Sequence, residues 1–352
     1  NQMKTALTAL TVLLFAFAQF ESAGAAGRTA SFLLTGAGAR PAGMGNAFVA
    51  LADDATAAYW NPAGLSRMFQ QQLSLYYLNQ TNLSHQTFAS YVYLFPELPR
   101  AAAAVSANYI NLGKMEELDD AGQLTGANFY AQQAAVSLSY SRELRGNIFA
   151  GITAKVINED FKDDKPLAFA GDAGLIYFPA ESLSLGLAVQ NIGSGISVSG
   201  TESRLPALLK AGAGFKFQDF AAAFDVDKYI DNTLKYHAGI ERGIFRSFRV
   251  RAGYESGKET GKGAGLTAGL GFRDISGFTP AQMNEEQPPS PAINPVKNVL
   301  MDASRNRAEE NRPHAITTPM EHALKTRFEL DYAVEYDGDF GFRHKLSTSY
   351  GF

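Results

Sequence analysis

The 352-residue chain has a formal net charge of −4, with 31 Lys and Arg against 35 Asp and Glu, so it has no basic excess with which to hold nucleic acid. It contains no cysteine, which excludes thiolate metal sites, disulfide scaffolds and cysteine nucleophiles and suits a protein exported through an oxidising compartment. Its 33 Gly, 25 Phe and 15 Tyr, against a single Trp, give a β-rich balance.

At the amino end, Lys4 precedes a mostly apolar run from Ala6 to Ala18, and Ala23-Gly24-Ala25 follows as a small-x-small cleavage site. Residues 1–25 read as a secretory signal peptide, because the apolar run falls short of the ~20 residues of a membrane-spanning helix. No later stretch approaches that length. If the mature chain meets a membrane, it does so as strands.

Residues 26–70 do not read as strand. Met44 to Tyr59 is small, alanine-rich and compatible with helix, and Asn61-Pro62-Ala63-Gly64 is a turn signal. A compact segment ahead of a β-region predicts a hatch inside a lumen.

From residue 71 to 352, alternation with period two dominates. Fourteen segments have cores near 73–79, 86–95, 101–112, 129–142, 147–158, 167–178, 182–192, 206–218, 219–230, 233–243, 246–256, 262–273, 325–336 and 342–352. Most are close to the roughly 10 residues with which a tilted strand crosses a bilayer, and their number is even, as in bacterial single-chain barrels. The fold class predicted is therefore all-β: a transmembrane antiparallel β-barrel of about 14 strands with a helical or irregular hatch in its lumen. Connections alternate between short ones, such as 144–146 and 179–181, and long ones, such as 113–128, 159–166 and 193–205. Barrels of the outer membrane have short periplasmic turns and long external loops, and this parity places both chain ends in the periplasm.

Residues 274–324 interrupt the parity as a long periplasmic insert rich in proline. Asn294-Pro295 starts a helix well, and Val296, Val299, Leu300 and Ala303 follow at helical spacing. A loop of this length is either functional or disordered, and the sequence leaves both open.

In the last two strands, Phe328, Leu330, Tyr332, Val334 and Tyr336 share one face, with Arg327, Glu329, Asp331 and Glu335 on the other. Phe342, Leu346, Tyr350 and Phe352 likewise oppose Arg343 and Lys345. The apolar faces would meet outer-membrane lipid. The charged faces, with Arg249 and Arg251 from an earlier strand, would meet in the lumen as an ion-paired lattice or, as the weaker alternative, a polar pore. Inward glycines such as Gly212, Gly214, Gly263, Gly265, Gly269 and Gly271 leave room for a plug or passage, or relieve curvature.

Two sets of residues carry a family resemblance. One is Gly43 to Gly45, Ala52-Asp53-Asp54-Ala55 and Trp60-Asn61-Pro62-Ala63-Gly64-Leu65; the other is the ending from Asp331 through Gly338-Asp339-Phe340-Gly341 to Phe352. The chain resembles the PorV/PorQ group and the wider FadL-like outer-membrane proteins. The resemblance implies a 14-stranded barrel with an N-terminal hatch in the bacterial outer membrane. In FadL-like proteins such a barrel carries hydrophobic small molecules inward, as the hatch shifts and a kinked strand opens a lateral path. In the PorV/PorQ group it serves type IX secretion and binds secretion-system proteins. The resemblance also gives importance to Asn61 and Pro62 in the hatch turn. Tyr350 and Phe352 resemble the signal by which the barrel-assembly machinery takes up its clients.

Enzymatic chemistry finds little support. Asp53 and Asp54 could be paired catalytic carboxylates, but turn caps or partners of lumen cations are the stronger reading. His237 has no Ser or Asp signature beside it. Gly36, Gly38, Gly43 and Gly45 do not make a dinucleotide fingerprint, and metal-ligand spacing is absent. No cofactor is expected.

Overall fold

The computed structural model describes residues 29–81, 84–118, 121–161, 165–198, 201–245, 247–257, 265–274, 327–336 and 342–352. The expected signal peptide, Gly263 and nearly all of the 274–324 insert lie outside these residues.

The strands are β1 (Gln72–Thr81), β2 (Ser84–Leu94), β3 (Ala101–Leu118), β4 (Leu124–Arg145), β5 (Ile148–Phe161), β6 (Leu167–Ala180), β7 (Leu183–Gly193), β8 (Ile196–Val198), β9 (Thr201–Ser203), β10 (Leu208–Phe217), β11 (Phe220–Tyr229), β12 (Leu234–Ile244), β13 (Phe248–Glu255), β14 (Leu266–Arg273), β15 (Arg327–Tyr336) and β16 (Phe342–Gly351). Fourteen of them form one closed barrel of antiparallel neighbours. The short hairpin β8–β9 stands apart, inside the connection from β7 to β10. Closure runs from Gln72↔Gly351 to Asn79↔His344, so the last strand pairs with the first and leaves no edge.

Alternation decides which face each side chain takes. Leu138, Ile152, Phe169, Leu266 and Leu270 are each at least 60% exposed on the outer wall. Lys210, Asp225, Asp227, Arg251, Glu335 and Lys345 are buried within. An apolar exterior around a charged interior inverts the arrangement of a water-soluble domain and matches a lipid-facing barrel, where an outward charge would cost about 2–4 kcal/mol at the bilayer midplane.

Three expectations are corrected. Residues 113–128 are not a loop: β3 and β4 continue through most of them as a long hairpin, with register shifts at Asn111/Lys114 and Glu116/Leu118. The alternation there is broken by those bulges, so the sequence pattern fades while backbone pairing persists. The stretch Met44–Tyr59 is not a helix. Helix is confined to Ala39–Gly43 and Ala57–Trp60, because Gly45 and Asn46 both take φ of 64° and turn the chain. Finally, the amino end of the described chain is not at the short-turn rim. Thr29 donates its N–H to Arg204 O (3.3 Å) and its hydroxyl to Glu159 (2.5 Å), both at the long-loop end. From there the hatch threads down the lumen and leaves beside Gln72, while Phe352 sits at the short-turn rim.

Candidate functional site

The lumen is filled by the hatch, which is seated on glycines. Gly151↔Gly174, Gly186↔Gly212 and Gly239↔Gly253 are register partners on adjacent strands. A Cβ on Gly186 would lie 2.5 Å from Val49 O. One on Gly269 would lie 3.1 Å from Gly43 Cα. Side chains at Gly151, Gly174, Gly239 or Gly253 would drive into Pro62, Asn61, Met44 or Gly45 respectively. Gly151, Gly174, Gly186, Gly239, Gly253 and Gly269 thus make room for the hatch, whereas of the other glycines expected to face inward Gly214 meets the hatch side chain of Leu51 and Gly212, Gly265 and Gly271 meet barrel atoms.

Hatch N–H groups that no helix satisfies are taken by the barrel. Asp225 Oδ2 accepts from Phe48 N (2.6 Å) and Val49 N (2.8 Å), and Gln72 Oε1 accepts from Ala55 N (2.7 Å). Gln190 Nε2 donates to the carbonyls of Tyr59 (2.6 Å) and Trp60 (3.1 Å). These bonds replace the helical ladder and explain why an alanine-rich run stays irregular.

Arg40 stands at the centre of the charges. It pairs with Asp53 (2.5 Å) and Asp54 (3.1 Å) of the hatch and with Glu241 of β12 (3.1 Å). Glu241 also binds Arg251 (2.6 Å), and Arg251 binds Asp331 (2.6 Å). Lys216 reaches Asp53 from β10 (3.0 Å). Burial raises the Asp53 carboxyl, but Arg40, Lys216 and Arg67 outweigh it and hold the group well below the usual carboxylate range. In Asp54 burial prevails over Arg40, with Asp53 adding repulsion, and the carboxyl is pushed up. Asp54 also caps the next turn by accepting from Thr56 N (2.9 Å).

The Asn-Pro-Ala-Gly turn is buried at the same level. Asn61 Oδ1 accepts from Ala63 N (3.2 Å) and so caps the 3-10 turn Pro62–Arg67. Its Nδ2 donates to Val49 O (2.9 Å) and faces Leu175 O and Leu187 O on β6 and β7 (both 3.3 Å). Trp60 Nε1 donates to Ala37 O (2.7 Å). Tyr59 donates its hydroxyl to Leu33 O (2.7 Å) and accepts from Gly36 N (2.9 Å).

The other predicted residues fall as follows. Lys345 pairs with Glu335 (2.6 Å), whose register partner is Arg343. Glu329 binds Arg273 (2.6 Å) and Arg327 (2.9 Å). Arg249 faces Glu241 and Glu329 without an ion pair among the described residues. Tyr350 and Phe352 are exposed at the outer rim, and Phe352 stacks on Tyr91 at 6.2 Å. His237 lies 3.4 Å from Asp227, which is bonded to Lys210, and its Nδ1 meets Gly45 O at 2.9 Å. It is thus held in a cluster with Asp227, Lys210 and the hatch backbone. Among the described residues, no group of three metal-ligating side chains occurs.

Sequence reasoning missed Arg40, Gln190 and Tyr59 as site residues. The available signal for Arg40 was its position as the one charge in the small-residue run from Gly36 to Gly45. Gln190 had no such signal, because its role depends on which hatch carbonyls come opposite it.

Two small cavities flank the entering segment, and Leu33 and Tyr59 line both. One, of about 20 Å³, is bounded also by Lys210, Asp227, His237 and Glu255. The other, of about 10 Å³, is bounded by Phe88, Ser106, Asn108, Ser137 and Lys155. Each has room for roughly one water, whereas a cavity holding a benzene ring is on the order of 150 Å³.

No family profile matches the sequence. No curated protein matches it either. Solved structures do match in fold. The Ralstonia pickettii toluene transporter TbuX is 13% identical with a TM-score of 0.57, over 91% of this chain and 98% of that one. The CymD monoaromatic hydrocarbon channel is 14% identical with a TM-score of 0.53, over 90% and 97%. The Pseudomonas putida toluene transporter TodX is 11% identical with a TM-score of 0.53, over 90% and 98%. The chain shares the barrel fold of these channels.

Proposed function

We propose that this protein is an outer-membrane channel for the passive entry of hydrophobic small molecules. The observation that carries the reading is a lumen occupied by a two-part hatch, within a fold shared with the hydrocarbon channels. The part from Gly43 to Leu65 is clamped by glycine seats and ion pairs. The part from Thr29 to Gly38 has no charged side chain of its own and is held through Tyr59, Glu159 and Gln86 and by an apolar cluster of Phe32 and Leu33 with Ile110, Ile157 and Ile196, and it has positive φ at Ala30, Gly36 and Gly38 on which to turn. Swinging that segment aside would merge the two cavities that it separates, giving an apolar guest a way past Leu33 and Tyr59.

The test is uptake of toluene by cells producing the protein. Uptake above vector control is expected, and a rise in Tyr59→Phe, which frees Leu33 O and Gly36 N. A barrel that is folded in the outer membrane yet gives no uptake above control refutes the reading.

A second reading, as a PorV/PorQ-like secretion or surface-assembly component, would use the β3–β4 hairpin that outruns its neighbours as a contact for a protein partner. It requires a stable protein partner, and purification of the intact membrane complex without one counts against it.

A further inference from the structure

Charge is nearly absent from the outward face of the barrel. Below the protruding part of the β3–β4 hairpin, the charged side chains that alternate to the outside among the described residues are Asp160, Lys228, Arg142 and Arg242, with Arg145 at the end of β4. They divide by end. Asp160 and Lys228 stand next to the long-loop ends of β5 and β11, and both are engaged: Asp160 pairs with Lys165 (3.0 Å), and Lys228 also has a partner. Arg142 and Arg242 stand near the short-turn ends of β4 and β12. Neither guanidinium has an ion pair or hydrogen bond among the described residues, and nor does that of Arg145.

Their surroundings are apolar. Arg142 lies between Ala101 and Ala150 of the adjacent strands, with exposed Tyr140 and Leu144 on its own. Glu143 turns to the other face and is taken by Arg100 (3.4 Å). Arg242 lies between Phe220 and Val250, with exposed Ile240 and Ile244 on its own strand. An unpaired arginine on the lipid face is costly at the bilayer midplane and nearly free at the interface. These two positions therefore belong at the interface.

The tips of the short turns point the same way. Phe245, just past β12, is 87% exposed. Its φ of 55° lies in the left-handed region, which is unfavourable for a bulky residue. Leu144 and Phe217 are likewise exposed at neighbouring short turns. In water such exposure gains nothing, whereas in lipid it buries apolar surface. The rim is thus seated within the leaflet, with the arginines at headgroup level.

At that depth the periplasmic leaflet supplies an anionic acceptor, the phosphodiester of a phospholipid. Arginine fits it closely. Its planar fork offers two parallel N–H donors to phosphate oxygens, while its apolar stem lies along the wall. The small side chains of Ala101 and Ala150 leave the flanks of Arg142 open to a headgroup.

We propose that Arg142 with Arg145, and separately Arg242, bind the phosphodiesters of phospholipids in the periplasmic leaflet. Because β5, β6, β7, β10 and β11 separate β4 from β12, the bound lipids fix the depth of the short-turn rim on two sides of the barrel. This inference rests on the barrel spanning the outer membrane and is independent of hydrocarbon transport.

The experiment titrates the full-length protein, in a detergent without phosphate, with phosphatidylglycerol and counts bound lipid by native mass spectrometry. Saturable binding is expected. The Arg142→Gln/Arg145→Gln/Arg242→Gln variant should weaken it by roughly tenfold or more, the scale of one lost charge-assisted hydrogen bond. Arg142→Lys/Arg242→Lys keeps the cations without the forks and should retain part of the affinity. Lys165→Gln should bind as the unaltered protein does, because that side chain is at the long-loop end and already paired. Phosphatidylethanolamine, which shares the phosphodiester, should bind, and diacylglycerol, which lacks it, should not. Folding of each variant is checked by the mobility difference between heated and unheated samples. Equal lipid binding by the unaltered protein and the folded glutamine variant overturns the proposal, as does equal binding of diacylglycerol. Inorganic phosphate that displaces the lipid at equal concentration overturns the assignment to lipid. Failure of toluene uptake overturns the hydrocarbon reading and leaves this one standing.

Discussion

The wall formed by β10–β15 and the wall formed by β1–β4 face the same hatch with different chemistry. The first presents Lys210, Asp225, Asp227, Glu241, Arg251 and Asp331, and every one of these reaches a charge or a hatch N–H. The second presents Gln72, Ser74, Gln86, Ser90, Ser106 and Ser137, with no charge among its buried inward side chains. The first wall fixes the hatch, since burying an ion is tolerable only with a partner, and each partner fixes a position. Both walls leave single buried polar atoms without a hydrogen bond, Gln86 Oε1, Ser90 Oγ and Asn108 Nδ2 on the second and Asp225 Oδ1 and Asp227 Oδ1 on the first, and the smaller cavity lies against the second. The hatch therefore has one wall that fixes it through charge and one that meets it through neutral groups.

Removing Arg40 should break the holding wall most severely. Arg40→Met leaves Asp53, Asp54 and Glu241 buried without their shared cation, a loss on the order of 3–5 kcal/mol when one partner of a buried pair is deleted. Trp60, the single tryptophan of the chain, is buried in the hatch and reports the result directly. Its emission should shift to the red while the barrel keeps its heat-dependent mobility. An unshifted emission in the folded variant would show that the glycine seat alone holds the hatch.

The barrel was legible in the sequence because a period of two is a local signal. Each of the fourteen predicted segments overlaps one barrel strand, and Phe352 lies beside a strand that pairs with β1. The lumen lattice was legible in kind, since charge confined to one face has nowhere else to go. Its hub was not legible. Arg40 matters through Glu241, 201 positions away, and no spacing rule links them. The irregular hatch was misread for the same reason: the side chains that replace its helical bonds, Asp225 and Gln190, lie on distant strands.

A smaller loss is expected from steric intrusion at the seat. A methyl group added at Gly253 meets the backbone of Met44 and Gly45, which cannot rotate aside, whereas one added at Gly243 meets only the side chain of Asp219 at 3.0 Å. Gly253→Ala should destabilise hatch docking by about 1–3 kcal/mol, and Gly243→Ala by much less. Protease cleavage within residues 29–66 measures the difference. Equal cleavage of the two variants would mean that the hatch shifts freely and that the glycine pairs are not a fitted seat.

Acid should act on the two hatch carboxylates in opposite senses, with the smallest effect of the three. Asp53 is held below its ordinary range by Arg40, Lys216 and Arg67, so its stabilising contribution is complete above that range and is lost as the pH falls beneath it. Asp54 has the opposite sign. Its raised carboxyl opposes docking while ionised, and protonation at mildly acid pH relieves that. Trp60 emission should therefore show slight tightening of the hatch at mildly acid pH and loosening only at strongly acid pH. Asp54→Asn should abolish the tightening and leave the loosening.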